Sequence, residues 1–269
     1  MDTPRAVSNK SLSPERPKPI MSDLQILQDS DKLYQAAAEQ FVQLSTAAMA
    51  QRGWFAVALS GGSTPRPVYA LLATAPLAQR VDWSRVQIFW SDERCVSPYA
   101  AHSNYCMARE VLLDHVPLPP ANIHRIHGEG DPALAALAYE QELQSVFRTA
   151  SVPVFDLIWL GMGDNGHTAS LFPGTAALHE QQRWVVPQYV EVGTLWRVTF
   201  TVVLINAAAH VTFLLQGAGK AEVLWRVLKG PYQPEVLPAQ LIQPAHGQLH
   251  WLVDAAAAAR CCLSDVPIS

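Results

Sequence analysis

An apolar run from Phe155 to Leu160 breaks at Gly161 into a loop with three glycines, Gly161, Gly163 and Gly166, and the last of these hands the chain to a single imidazole, His167. The run predicts a buried strand. The stretch after it, Thr168-Ala169-Ser170-Leu171-Phe172-Pro173, predicts a short helical turn stopped by proline, which lacks a donor and clashes with the preceding turn. A strand that feeds a glycine-rich loop and a helix start presents backbone N–H groups outside the carboxyl edge of a sheet, where open α/β sheets bind ligands. A plain strand-to-helix connection also uses glycine, yet does not require three of them with a histidine directly behind.

The same residues imitate a nucleotide motif. Gly161-Met162-Gly163-Asp164-Asn165-Gly166 satisfies G-x-G-x-x-G, but the dinucleotide fingerprint also needs a long following helix and an acid closing the next strand about 20 residues on. Pro173 shortens the helix, and the nearest acid at that distance, Glu180, lies in the polar stretch His179-Glu180-Gln181-Gln182-Arg183. A nicotinamide cofactor is therefore not expected. Gly217-Ala218-Gly219-Lys220-Ala221 fails as a P-loop, because Leu214 stands where the first glycine belongs and Ala221 has no hydroxyl for magnesium.

Companion loops follow other apolar runs. Trp54 to Leu59 ends in Ser60-Gly61-Gly62-Ser63-Thr64-Pro65, with Ser63 or Thr64 as the expected N-cap of a helix and Pro65 at its first position. Small residues with free N–H groups at a helix start suit an anion. Val86 to Trp90 ends in Ser91-Asp92-Glu93-Arg94, which reads equally well as a solvated loop or as carboxylates and a guanidinium for a sugar phosphate. Arg197 to Val202 alternates with period two, and His210 to Leu215 runs into Gly217-Ala218-Gly219-Lys220, where Lys220 opens a helix from Ala221 to Leu228.

Together these segments resemble the 6-phosphogluconolactonase family. The resemblance rests on Leu59 to Pro65, on Ser91-Asp92-Glu93-Arg94 with Ser103-Asn104-Tyr105, and on Gly161 to Pro173; Arg197-Val198-Thr199 with Asn206, and Gly217 to Lys220, complete it. It spans residues 23–254 in collinear order and implies hydrolysis of 6-phospho-D-glucono-1,5-lactone in the oxidative pentose phosphate pathway, without metal or organic cofactor. It also implies an α/β fold of the glucosamine-6-phosphate isomerase type, Rossmann-like, with a mostly parallel sheet and helices on both faces. The resemblance assigns the phosphate to Gly61, Gly62, Ser63 and Thr64 with Arg94, Arg197 and Lys220, a set whose Arg forks and Lys point charge suit phosphate oxygens. His167 is the expected general base, since an imidazole is able to accept a water proton at neutral pH. Asp92 and Asn104 are expected to orient sugar hydroxyls, with Asp92 next in line as base, and N–H groups near Gly163 and Gly166 to hold the oxyanion.

Two positions depart from the family pattern. Asn165 stands where Asp usually precedes Gly-His, either to act on the imidazole or as a turn residue that tolerates a left-handed backbone; the turn reading is slightly favoured. Val203 replaces a common Pro, a change expected to touch only strand geometry. A glucosamine-6-phosphate deaminase would carry a Glu shortly after Gly-His, whereas no acid follows His167 until Glu180. A sugar-phosphate sensor would need a DNA-binding domain, for which the 22 residues before the first strand are too few.

Composition agrees with a soluble enzyme. The 269 residues are 49% hydrophobic, ample for one α/β domain, and the net charge of −4 argues against nucleic acid or an anionic membrane as partner. No apolar stretch reaches the ~18 residues of a membrane span. The four cysteines include the adjacent Cys261 and Cys262 and show no C-x-x-C spacing, so neither a disulfide framework nor zinc is expected, and cytoplasm is the default. Among the nine histidines, His124 and His127 fall on an expected strand, where i and i+3 face apart and do not converge on a metal.

Residues 1–22, with four prolines and little apolar periodicity, read as a disordered extension, with Met21 an alternative start. Residues 23–269 read as one domain, a monomer or weak homo-oligomer. Ser30 is the expected cap of a long helix closed by Gly53, and a second helix runs from Asp131, its N-cap, to Arg148. Strands are expected near 24–27, 54–59, 86–90, 123–126, 155–160, 198–204, 210–215 and 248–253, alternating with helices as in a parallel sheet.

Overall fold

The computed structural model describes residues 22–191 and 195–261. The extension expected over 1–22 lies outside them, as does Met21, except that Ser22 already belongs to the first strand. Six strands form one sheet: β1 (Ser22–Leu27), β2 (Phe55–Leu59), β3 (Val86–Trp90), β5 (Leu157–Leu160), β8 (His210–Leu215) and β9 (Gln248–Asp254). They pair in parallel in the order β1-β9-β8-β5-β2-β3. β2 and β5 are buried along their whole length, which is why they read as unbroken apolar runs instead of alternating ones. After β2 the chain moves outward to β3, then returns to the other side of β2 for β5. This reversal opens a crevice at the carboxyl ends of β2 and β5, where such sheets bind ligands.

A second, antiparallel sheet, β4 (Asp92–Arg94), β7 (Leu195–Phe200) and β6 (Val185–Val190), stands beside the first in the order β4-β7-β6. Ser91 joins the two. Its N–H donates to Leu59 O at 2.9 Å in the large sheet, and its carbonyl accepts from Phe200 N at 2.8 Å in the small one. The Phe200 ring then packs 5.4 Å from Phe155, so one contiguous core runs under both sheets.

Local chemistry explains the helices. α1 (Ser30–Arg52) is capped by Asp29, not Ser30 as expected: the Asp29 carboxylate accepts from Lys32 N at 2.8 Å, while Ser30 Oγ donates to Asp254. Gly53 closes it in the left-handed conformation, φ 89°. Phe41 of α1 sets its ring 5.1 Å from Phe55 and 5.6 Å from Trp159, fixing the helix across the sheet. α2 (Pro65–Leu72) starts at Thr64 as expected, but with no side-chain capping bond. α3 (Asn104–Val111) is capped by Ser103, and α4 (Pro132–Phe147) by Asp131, whose carboxylate accepts from Ala133 N and Leu134 N. α6 (Ala221–Lys229) follows Lys220 as expected.

Four expectations are corrected. Residues 123–126 form no strand; Ile123 makes a single bridge to Ile88, and the His124 ring is lodged 2.7 Å from both Glu142 Oε1 and Gln87 Oε1. The strand expected over 198–204 runs over 195–200 and gives way to a helical turn, α5 (Val202–Ile205), so Val203 bears on a helix and not on strand geometry. No helical turn is formed over residues 167–172: Thr168 bridges to Leu171 in a tight turn with Ala169 at φ 46°. β4 and β6 were not expected as strands, and both lie at the edges of the small sheet.

Candidate active site

Loops from both sheets close around a pocket of about 220 Å³ at the reversal point. Eleven of the twelve residues singled out by sequence line it: Gly61, Gly62, Ser63, Thr64, Asp92, Arg94, Asn104, Gly163, His167, Arg197 and Lys220. Gly166 does not. It supplies a positive φ of 77°, and a methyl group there would meet Leu237 Cδ2 at 2.7 Å, so its role is to let the loop turn against Leu237.

Gly163 is required for a different reason. A Cβ on Gly163 would lie 2.1 Å from both Cε1 and Nδ1 of His167, so the imidazole occupies the space a side chain would need. The loop is closed by its own N–H groups: Gly163 N donates to His167 O and Gly166 N to Gly163 O, both at 2.9 Å. Neither N–H is therefore available to an oxyanion, contrary to expectation.

Asn165 defines the state of His167. Its Oδ1 accepts from the backbone N–H of His167 at 3.2 Å, and a backbone N–H only donates, so the amide must turn its oxygen inward. The same oxygen lies 2.6 Å from His167 Nδ1. Nδ1 therefore carries the proton, and Nε2 keeps its lone pair. Asn165 does lie in a turn, as expected, but the left-handed conformation falls on Gly166 and not on Asn165. The ring stacks on Phe172 at 4.0 Å. Burial lowers the His167 pKa to about 4; Arg197 and Lys220 lower it too, while Asp92 and Asp164 act against them. The imidazole is neutral at physiological pH.

The small sheet brings in the charges. Asp92 pairs with Thr199 and Arg94 with Arg197 across the β4–β7 ladder. Asp92 is 5% exposed; its Oδ2 accepts from Ser170 Oγ at 2.6 Å and lies 3.7 Å from Arg197 Nη1. The Arg197 guanidinium also lies over the Phe172 ring, 5.3 Å from its centre. Asn104 is held inward: its Nδ2 donates to Asp92 O at 2.9 Å and to Asp92 Oδ1 at 3.2 Å. Its Oδ1 lies where a Cβ of Gly61 would come within 1.8 Å, so Gly61 admits the close approach. Asn104 thus acts on Asp92 and on the glycine loop, beyond the expected contact with sugar hydroxyls.

The N–H groups of Gly61, Gly62, Ser63 and Thr64 take no partner among the described residues. They stand at the N-terminus of α2, where anions are favoured. Arg94 Nε and Arg197 Nε are likewise buried without a partner among the described residues, although Arg94 Nη1 donates to His102 O at 2.5 Å.

Three carboxylates support the site; sequence reasoning offered Glu93 to a sugar phosphate, where the structure gives it another role, and missed Asp254 and Asp164. Glu93, between two pocket residues, turns away from the pocket and accepts from Ser103 Oγ and from the N–H groups of Arg94, Asn104 and Tyr105, at 2.7 to 2.9 Å. It pins α3 to β4; burial raises its pKa against those bonds. Asp254 accepts from Gly217 N at 3.0 and 2.9 Å and fixes the loop that carries Lys220. Asp164 binds Lys220 Nζ directly. The last two are long-range contacts, spanning 37 and 56 residues, with no local signature.

The sequence model described as glucosamine-6-phosphate isomerases/6-phosphogluconolactonase matches residues 28–251. A 6-phosphogluconolactonase of Nostoc sp. is 41% identical over 239 residues, covering 88% of this chain and 97% of its own length. One from Synechocystis sp. is 44% identical over 212 residues, covering 78% and 85%. The crystal structure of a protein named devB superimposes with a TM-score of 0.83 at 36% identity, over 89% of this chain and 99% of its own. Among the described residues no helix is long and apolar enough to cross a membrane.

Proposed function

The chain belongs to the glucosamine-6-phosphate isomerase/6-phosphogluconolactonase family, and from that premise we propose that it hydrolyses 6-phospho-D-glucono-1,5-lactone to 6-phospho-D-gluconate, the lactonase step of the oxidative pentose phosphate pathway. The relatives named above support the reaction. The observation that carries the mechanism is the His167–Asn165 contact, which leaves Nε2 as an acceptor facing a pocket rich in anion donors.

The lactone carries its phosphate at the end far from the reacting carbonyl, so grip and chemistry fall to different groups. The loop N–H groups from Gly61 to Thr64, with Arg94, Arg197 and Lys220, take the phosphate in ground and transition state alike. His167 Nε2 removes a proton from water as its oxygen bonds to the lactone carbonyl carbon. The tetrahedral intermediate then expels the ring oxygen, and the imidazolium returns the proton to it, leaving the free acid and an open-chain hydroxyl. Asp92, set against Arg197 and Ser170, and held by Asn104, stabilises the imidazolium at a distance; it is one of the two charges that raise the His167 pKa. The substrate itself adds to this effect. Its phosphate offsets Arg197 and Lys220, two of the charges that depress the imidazole, and so moves the base toward the working pH.

Residues 23–269 work as one domain, monomeric or weakly self-associating, in the cytoplasm, with neither metal nor organic cofactor in the reaction. The test is proton release from freshly generated lactone, with glucosamine 6-phosphate run in parallel. Lactone turnover that survives EDTA is the expected result; release of ammonia from the amino sugar instead would overturn it.

A further inference from the structure

Asp164 makes no direct contact in the chemistry above, although its charge raises the His167 pKa, and it sits between Gly163 and Asn165 and binds Lys220. Its carboxylate accepts a hydrogen bond from Lys220 Nζ while the Asp164 side chain is itself 83% exposed. One end of this ion pair belongs to the loop that carries His167, the other to the loop held by Asp254. Lys220 lines the pocket, whereas Asp164 does not. The only cation of the pocket mounted on a helix start is thus bound, among the described residues, to an internal anion.

Resting on the phosphate role of Lys220 given above, we propose that Asp164 is an internal competitor for the substrate's phosphate, a latch between the His167 loop and the Lys220 loop that phosphate binding opens. Exposed ion pairs contribute little, so the latch is easily displaced by a group with more charge and more acceptors. A phosphate monoester carries between one and two negative charges and three acceptor oxygens. It also draws on the Gly61–Thr64 N–H groups and Arg197, which a lone carboxylate at Asp164 does not engage. A sugar lactone without phosphate offers nothing to displace Asp164. The latch therefore lowers the affinity for substrate and product alike and speeds release of the product's phosphate by reclosing on Lys220.

The experiment compares Asp164→Asn and Lys220→Ala, alone and combined, by KM for the lactone and by calorimetric Kd for inorganic phosphate. Asp164→Asn should lower both roughly two- to fivefold, the range expected for loss of one exposed competing pair. In the Lys220→Ala background the same substitution should change neither. If Asp164→Asn leaves KM and Kd unchanged, or lowers them as much without Lys220 as with it, the latch is refuted and Asp164 contributes at most a general field. A wild type that binds no phosphate and whose KM ignores Lys220→Ala would instead refute the phosphate assignment itself, and the latch with it.

Discussion

Arg94 and Arg197 lie directly opposite each other in the antiparallel ladder between β4 and β7. Like charges in that relation destabilise a sheet, and burial adds to the cost, lowering the Arg197 pKa. Asp92 beside Arg197 offsets one charge, but the Nε of each arginine is still without a partner among the described residues. A fold tolerates such a pair where an anion is to be bound between loops of opposite origin, and the unpartnered N–H groups of the Gly61–Thr64 loop share the pocket.

Arg94→Ala should therefore act on KM. Loss of one charge-assisted contact costs roughly 1.5–3 kcal/mol of binding, and kcat should change much less, because the phosphate is held equally before and during reaction. Steady-state kinetics check this. A variant with wild-type KM and a collapsed kcat would assign Arg94 to the chemistry instead.

Gly163→Ala should do the reverse. The added methyl would fall 2.1 Å from the imidazole, which must move aside, and misplacing a catalytic group by about 1 Å costs about 10²-fold in rate. Its φ is not in the left-handed region, so the thermal midpoint should change little. Gly166→Ala, at φ 77° against Leu237, should instead destabilise the fold by about 1–2 kcal/mol, the cost of a left-handed residue with a Cβ. Thermal melts and kcat measured on both variants separate the two glycines.

These two glycines show what was legible in the sequence and what was not. The spacing Gly161-x-Gly163-x-x-Gly166-His167 located the pocket, because strand ends and glycine loops are local signals. It could not say which glycine makes room for the imidazole and which turns the chain on Leu237, since that depends on a residue 71 positions away. The same limit explains β6: Pro187 interrupts its apolar run, and only its place at the edge of the small sheet, where a missing N–H is harmless, makes it a strand. Val202 to Ile205 misled in the opposite sense. Their β-branched character reads as strand, yet Thr201 donates its hydroxyl to Arg183 O and the chain turns into α5. The pocket residues were found because glycine, arginine and histidine mark loop chemistry; the roles of Glu93, Asp254 and Asp164 were not, because their partners are set by the fold.

The state of His167 is directly measurable. Nitrogen-15 correlation spectra of the free enzyme should show the Nδ1–H tautomer, with titration near pH 4. A product complex should titrate higher, since the bound phosphate offsets Arg197 and Lys220. Asn165→Asp should also raise the pKa, because a carboxylate 2.6 Å from Nδ1 favours the imidazolium. A base is active when deprotonated, so the acid limb of kcat should move up with the pKa in that variant. A free-enzyme value near 6.5 and an Nε2–H tautomer would contradict the geometry.

The most direct test of the account is the rate of proton release from freshly generated 6-phosphogluconolactone by His167→Ala, above the spontaneous rate and beside wild type. A general base contributes about 10²–10⁴ in kcat, so the variant should fall by that factor while KM stays close to wild type. If His167→Ala hydrolyses the lactone at near wild-type kcat, the imidazole is not the base, and the role passes to Asp92.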